Sequence, residues 1–405
     1  MIWKLAFRNI WRNKRRTLIT SASVMFAGFL TITMSSIETG MWEKMLQNVI
    51  DQTTGQVQIQ SKKFFDEPTL DNSFAFSESE FKKVSQIKHV TAVNPRIESF
   101  SLASFGEKTK PVYIIGVNPD LEDVMTGLKK RVVKGSYLGT QKGSGILLGV
   151  NLAKNLNILL GDSLAFFGQG YRGVFSVGML PVKGFVKFPL EDMNNQMVYM
   201  NQIDAWELFQ APELYTQLMI RTKSNKYTDP VKNEIKENIK NDELKVYGWK
   251  ELIPELVEAK EMDESTTVIT MSILYLVVSF GIFGTLLMLI NERRHEMGVL
   301  LAIGMKKRQL MGIVWLEFWL IAILGLTMAM ILSLCITMYL KWFPVPLTGM
   351  EEVYEQFGFE AVMTATVSLK IFITELIKVT LIVSILSLFP VWKIYTLQPL
   401  NALRS

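Results

Sequence analysis

The chain is short of the residues on which metal and nucleophile chemistry usually rests. Among 405 residues there are one cysteine and two histidines. His89 and His295 lie far apart and Cys335 falls inside an apolar run, which argues against a catalytic zinc site and against a Cys–His nucleophile. A lone cysteine also excludes an internal disulfide, so a domain outside the membrane must stand on its own core. No G-x-x-x-x-G-K-[ST] phosphate loop occurs, and no G-x-G-x-x-G follows a strand. "GQGYRG" (168–173) has the glycines of a nucleotide loop but sits in a predicted hairpin with no helix behind it, and reads as a turn. The expectation is a chain that is not an enzyme and holds no cofactor or metal of its own.

What the chain does have is apolar length. Hydrophobic residues make up 49% of it, and they collect into runs over Thr17–Ile37, Thr267–Ile290, Leu310–Leu340 and Ile371–Phe389. About 20 apolar residues in a helix cross the hydrocarbon core. The runs show no period-2 alternation, which leaves helices as the structure that satisfies the backbone there. Basic residues line up with particular ends of these runs: Lys4, Arg8, Arg12, Lys14, Arg15 and Arg16 before the first, and Arg293, Arg294, Lys306, Lys307 and Arg308 between the second and third. The 342–370 connection instead carries Glu351, Glu352, Glu355 and Glu360. The positive-inside rule then puts both termini and the 291–310 loop in the cytoplasm and residues 38–266 outside. Because the basic residues follow membrane edges, no nucleic acid is expected as a partner. The first run lacks a small-residue cleavage site before Glu38 and is expected to stay as an anchor.

"IWKLAFRNIWR" (2–12) places Trp3, Ala6, Phe7, Ile10 and Trp11 on one helical face, as in a helix lying in the inner interface. Beyond the first run Ile37, Met41, Met45 and Val49 recur at i+4, so the helix is expected to continue as a stalk to about Asp51. A matching approach to the second run has neither Pro nor Gly from Glu255 to Phe280, after a start at Pro254. Between the stalks the pattern is mixed. "GQVQIQ" (55–60) alternates as a strand, 77–87 opens with Ser-x-x-Glu capping chemistry and reads as a helix, and 89–99 returns as a strand. Later 215–222, 229–240 and 244–249 read as strand, helix and strand. Two such β-α-β units commonly close into a ferredoxin-like split sheet. The stretch between them, about 104–213, is richer in strands and reads as an inserted β-rich lobe.

The predicted fold is thus an α-helical membrane protein with four transmembrane helices and a large extracytoplasmic α+β domain. Its expected parts are an inner amphipathic helix (1–16), first span and stalk (17–54), outer domain (55–249), stalk and second span (250–291) and inner loop (292–309). The third span (310–341), a short outer connection (342–370), the fourth span (371–390) and an inner tail (391–405) follow. Three ionisable residues fall inside spans, where a charge costs on the order of 2.5–3.5 kcal/mol. Glu375 and Lys378, three apart, are expected to pair. Glu317 is placed to hold loop residues, or a cation such as Arg16, at the interface. In the loop, helix is expected from Glu292 to Ile303 with Gly304 as its stop. Met297, Leu300, Leu301 and Gly304 form a small apolar face with Arg293, Arg294 and Glu296 around it. That face reads either as a docking element for another protein or as an ordinary charged loop.

"ERRHEMGVLLAIGMKKRQL" resembles the E-R-R-x-E-[IM]-G-x-[LM]-x-A-[IL]-G pattern of the FtsX-like permease family, which includes the MacB and LolC/LolE membrane subunits of ABC transporters. The likeness extends to "GILLGVNLAKNLNILLGDSL" (145–164), to the tail "LQPLNALR" (397–404) and to the entry helix "FRNIWRNKRRT" (7–17). The resemblance implies that Glu292, Arg293, Arg294, Glu296, Met297, Gly298, Leu301, Ala302 and Gly304 belong to a coupling helix that engages a cytoplasmic ABC ATPase dimer, where ATP and Mg would be bound. It also implies a second permease copy or paralogue, and stalks that relay ATP-driven closure to periplasmic domains. A permease without a fused ATPase looks more like LolC/LolE, which implies lipoprotein or amphipathic substrates drawn from the inner membrane and a periplasmic lipoprotein carrier. The hairpin expected to recruit that carrier falls near 166–178, but here it is short and lacks the Pro-containing hook. Acyl chains would lie between the first two spans, near Met34, Ile37, Ile273 and Leu276. An efflux permease for peptides or antibiotics, and FtsX-type signalling to a cell-wall hydrolase, remain the alternatives.

Overall fold

One helix carries the chain out of the first apolar run. The computed structural model describes residues 14–239, 241–349, 354 and 361–396. In it α1 (Lys14–Val49) passes without a break into a π-turn over Ile50–Thr54. The turn stops at Gly55, whose N–H returns to the Ile50 carbonyl at 2.7 Å. Gly55 has φ +65°, and a Cβ there would lie 3.0 Å from the Ile220 carbonyl oxygen, so both backbone conformation and space call for glycine. The expected inner helix (1–16) lies outside the described residues except for its last three. The tail from 397 and the acids at 351, 352, 355 and 360 also lie outside them. The chain divides into two compact units, one of them Lys44–Glu258 with the Thr348–Ala361 segment.

That unit is the α+β domain. Its strands are β1 (Val57–Ser61), β2 (Val90–Phe105), β3 (Lys108–Val117), β4 (Val132–Gly135) and β5 (Ile146–Gly149). They continue with β6 (Ser163–Gln169), β7 (Phe175–Val186), β8 (Met197–Asn201), β9 (Gln217–Thr222) and β10 (Leu244–Gly248). Helices α2 (Glu78–Ser85), α3 (Pro119–Thr126), α4 (Val150–Leu156), α5 (Glu191–Gln196), α6 (Gln202–Phe209) and α7 (Thr228–Asn238) lie between them. Ser77 caps α2 through the expected reciprocal box with Glu80.

All ten strands belong to one sheet. At one end the order is β10-β1-β9-β2, antiparallel throughout. Val84 and Ile87 at α2 and Val231 and Ile235 of α7 cover it, sharing a core with Val57, Ile59, Leu218 and Val246. The inserted strands build no separate sheet. β2 runs on past β9, and from there β2-β3-β8-β5-β7-β6 closes back onto β2 as a ring of six strands. The inside of that small barrel is filled by Ile97, Ala103, Ile114, Leu148, Leu164, Phe166 and Val198, as a ring too narrow for a lumen requires.

The other unit holds the remaining helices: α8 (Pro254–Glu292), α9 (Arg294–Ala302), α10 (Lys307–Trp342) and α11 (Leu369–Tyr395). Together with α1, the helices α8, α10 and α11 are long and apolar enough to cross a membrane. α1 packs on α10 where small residues meet. A Cβ on Gly28 would stand 3.0 Å from the Ala329 Cβ, and one on Gly325 2.6 Å from the Ser21 carbonyl oxygen. Thr33 and Ser333 share a hydrogen bond of 3.4 Å across the same crossing. Lipid tails offer no hydrophobic drive between helices, so such close backbone approach is what holds them. α8 is joined to α11 by a hydrogen bond from the Tyr275 hydroxyl to Glu375, which also accepts from Lys378 Nζ at 2.7 Å. The expected Glu375–Lys378 pair is therefore present, with a tyrosine added. Near the outer end of the spans, the Trp42 indole N–H donates to Asp263 and the Thr267 hydroxyl to Glu38, tying α1 to α8.

Replacing Gly325 by valine should force α1 and α10 apart and cost about 1–3 kcal/mol, read as a lower thermal midpoint of the detergent-solubilised protein. Gly284→Val on α8, where a Cβ meets nothing within 4 Å, should leave the midpoint nearly unchanged.

Candidate functional site

The loop between the second and third spans is built by two backbone breaks. α8 ends at Glu292, and Arg293 leaves helical values at φ −101° and ψ 9°. The loop helix α9 therefore starts at Arg294 and not at Glu292. It ends as expected at Gly304, with φ +103°. The Gly304 N–H bonds the Leu301 carbonyl and the Met305 N–H the Leu300 carbonyl, each at 3.1 Å. That pair of bonds is a Schellman stop, and it needs the left-handed residue at Gly304. Lys307 Nζ then donates to the Tyr395 carbonyl at 2.6 Å and fixes the start of α10 on the end of α11.

The break at Arg293 rotates the motif. The small apolar face, read either as a docking element or as part of an ordinary charged loop, is turned inward: Met297 and Gly298 are buried, and Leu300 and Leu301 pack on a cluster with Leu310, Val314 and Phe318. Arg293 is buried as well. Its Nη1 donates to both carboxylate oxygens of Glu317 at 2.6 Å, and its Nε to Glu296 at 3.2 Å. Burial pulls its pKa down, but the Glu317 carboxylate outweighs this and holds it above its ordinary value. Glu317 thus holds a loop residue, as its position implied. Glu292, Arg294, His295, Ala302, Ile303 and Gly304 are the residues left exposed, Ile303 at 79%.

The four residues expected to line an acyl cavity are not brought together in one. Met34, Ile273 and Leu276 are more than half exposed and face outward, and Ile37 is half-buried. A cavity of about 350 Å³ does lie between α1 and α8, but at the opposite end, lined by Arg15, Ile19, Thr20, Thr285, Met288, Leu289 and Glu292. The short hairpin at 166–178 is the β6–β7 connection, and its strands present Phe167, Phe175 and Val177 to the surface.

A second cluster lies where the π-turn meets the α+β domain, and nothing in the sequence reading singled it out. Arg96 on β2 is buried and forks onto Glu122 of α3, Nη2 to Oε1 at 2.6 Å and Nε to Oε2 at 3.0 Å. Its Nη1 also donates to the Gln52 carbonyl at 3.2 Å, while the Gln52 side chain donates to the Thr126 carbonyl at 3.0 Å. Asp51 pairs with Arg221 of β9 at 3.0 Å. The turn is thus held to two strands and a helix by charged and amide groups. Glu98 completes the cluster, accepting from the Tyr113 hydroxyl at 2.8 Å and from Gln217. The one signal was "NPRIESF", an Arg-x-Glu inside a strand pattern; alternation alone would send both side chains to solvent.

Arg96→Met leaves Glu122 buried without its counter-ion, and loss of about 3–5 kcal/mol of stability is expected, measured as a fall in the thermal midpoint; Arg96→Lys should not restore it, because one ammonium cannot fork. The Glu98 carboxyl is raised by burial, against the lowering influence of Arg96 and Tyr113. A carboxyl raised on folding adds stability that is full below its unfolded value and is lost as pH climbs through the raised one. The stability of the native protein relative to Glu98→Gln should accordingly decline as pH rises above 4.5.

Comparison with known proteins agrees with this architecture. A family model described as MacB-like periplasmic core domain matches residues 17–238, and one described as FtsX-like permease C-terminal matches 268–399. The chain is 23% identical over 342 residues to an uncharacterised ABC transporter permease of Methanocaldococcus jannaschii, covering 81% of this chain and 82% of that one. It is 22% identical over 334 residues to the lipoprotein-releasing system transmembrane protein LolC of Xylella fastidiosa, covering 78% of each. It is 20% identical over 345 residues to the macrolide export ATP-binding/permease protein MacB of Acinetobacter baylyi, covering 82% of this chain and 51% of that protein. With the first model spanning more than half of its length, the chain belongs to the FtsX-like permeases with a MacB-like periplasmic core: it is an inner-membrane permease subunit of an ABC transporter, carries a periplasmic domain, and has an ATPase as partner.

Proposed function

We propose that the chain converts ATP hydrolysis by a separate cytoplasmic ATPase dimer, which binds ATP and Mg, into motion of its periplasmic domain, and that the work done is release of lipoproteins from the membrane. The single observation that carries the conversion is helical continuity. α1 and α8 run without interruption through the boundaries of the two compact units, and a helix resists compression where a loop would absorb it. Both termini and the 292–309 loop lie on the cytoplasmic side in this reading. The face offered to the ATPase is the exposed one, Glu292, Arg294, His295, Ala302 and Ile303, while Arg293, Met297, Gly298 and Leu301 hold that face in place. The β10-β1-β9-β2 order with α2 and α7 on one side is read as ferredoxin-like.

The lipoprotein assignment is supported by the LolC relative, which matches over equal shares of both chains. Export of a small amphipathic compound is the second reading, favoured by the MacB relative, of which the chain spans about half. In the lipoprotein reading the outward Met34, Ile37, Ile273 and Leu276 become a cavity only when a second permease copy or paralogue covers them, and a periplasmic carrier receives the product. Purification from the native membrane in mild detergent should bring down an ATPase without a membrane domain, together with acylated lipoproteins. An adaptor protein in their place would move the assignment to export, and an intact complex without any ATPase would refute the coupling role of the loop. Ile273→Asp with Leu276→Asp should cut lipoprotein release at least about tenfold, since a buried acyl chain gains about 0.8 kcal/mol per CH₂; unchanged release would remove the proposed cavity.

A further inference from the structure

The motif's two adjacent arginines point in opposite directions. Arg294 is exposed, whereas the Arg293 side chain is 8% exposed and its partner Glu317 4%. Glu317 lies ten residues into α10, roughly 15 Å along the helix from Lys307, so the pair fastens the start of the loop helix to the body of the third span. The inner end of α8 shares the same cluster through Leu286, Leu289 and Ile290, so the loop is held to α8 as well. α8 reaches it through the non-helical Arg293 backbone, and Gly281 and Gly284 farther up α8 have nothing within 4 Å of where a Cβ would stand. The route through α10 is closed at each step: the ion pair, the Met297 packing beside Leu310 and Val314, and the Gly28–Gly325 crossing onto α1.

We propose that Arg293 is a positioning residue and not an ATPase contact: its Nη1 bonds to both oxygens of Glu317 make α9 move with α10, so that a push on the loop reaches α1 through the third span in addition to passing along α8. This rests on the permease reading above for the origin of the push, but the link itself is a property of this chain. An arginine suits it because Nη1 reaches both Glu317 oxygens while Nε holds Glu296, and the low-dielectric site strengthens the pair.

The test is charge exchange, read by hydrogen–deuterium exchange of the full-length protein in detergent and of the complex that co-purifies with it. Arg293→Glu should speed amide exchange over 294–302 by about tenfold or more, with the ATPase still retained. In the complex, the change that a non-hydrolysable ATP analogue produces at 50–54, the far end of α1, should disappear. Arg293→Glu combined with Glu317→Arg should restore both slow exchange and the nucleotide response. Glu317→Gln, which keeps an acceptor but no charge, should fall between and guards against a variant that simply misfolds. A double variant as defective as Arg293→Glu alone would overturn the proposal. So would loss of the ATPase in Arg293→Glu with unchanged exchange over 294–302, since that pattern marks a direct contact. Exchange over 294–302 needs no ATPase; if none co-purifies with the native protein the permease reading fails, while this arm still decides the ion pair.

Discussion

A charge withdrawn from water has to be met by another charge or a full set of hydrogen bonds, and the structure is organised around that requirement. Three groups of buried ions in the described residues each join elements that sequence keeps apart. Arg293 binds the loop to α10 through Glu317, Glu375 binds α11 to α8 through Tyr275, and Arg96 binds β2 to α3 and to the π-turn. Pairs of this kind add little net stability over apolar packing, but losing one partner is expensive. They hold a geometry more than they deepen a well. Under the proposed function, in which displacement passes along the chain, such joints are useful where the path changes from one element to the next.

Between the joints the material is stiff. The spans are unbroken helices because hydrocarbon leaves no other way to satisfy the backbone, and the α+β domain is one sheet that closes on itself. The barrel adds a rigid body with a filled interior, and the π-turn enters beside it through Arg96, Gln52 and Asp51. In the proposed reading, a coupling path from loop to α10 to α1 to the domain accounts for the placement of these contacts.

Much of this was legible in the amino-acid sequence, for stated physical reasons. The spans followed from apolar length, the α2 start from Ser77 and Glu80, and the loop stop from Gly304, all of which act within a few residues. The sheet closure was not legible, because β2 meets β6 across some sixty residues and short strands carry no mark of their partner. The inward turn of Arg293 escaped because helical spacing from Glu292 put it on a polar flank. With the backbone break at Arg293, Met297 and Leu301 pack into the bundle. Arg96 escaped because an alternating strand offers a charged side chain to solvent by default. Met34, Ile273 and Leu276 stand exposed in the single chain, and apolar residues at outward positions look alike in sequence whether they face lipid, substrate or a second subunit.

The central claim is that events at the cytoplasmic loop move the periplasmic domain. It is tested most directly by electron-spin distance measurement in the ATPase-bound complex, with Cys335 replaced by serine and labels on Ala302 of the loop and Lys154 of α4 in the α+β domain. The account predicts that the distance distribution shifts when a non-hydrolysable ATP analogue binds and returns when it is removed. A distribution that stays fixed while the complex hydrolyses ATP and releases its substrate would contradict it.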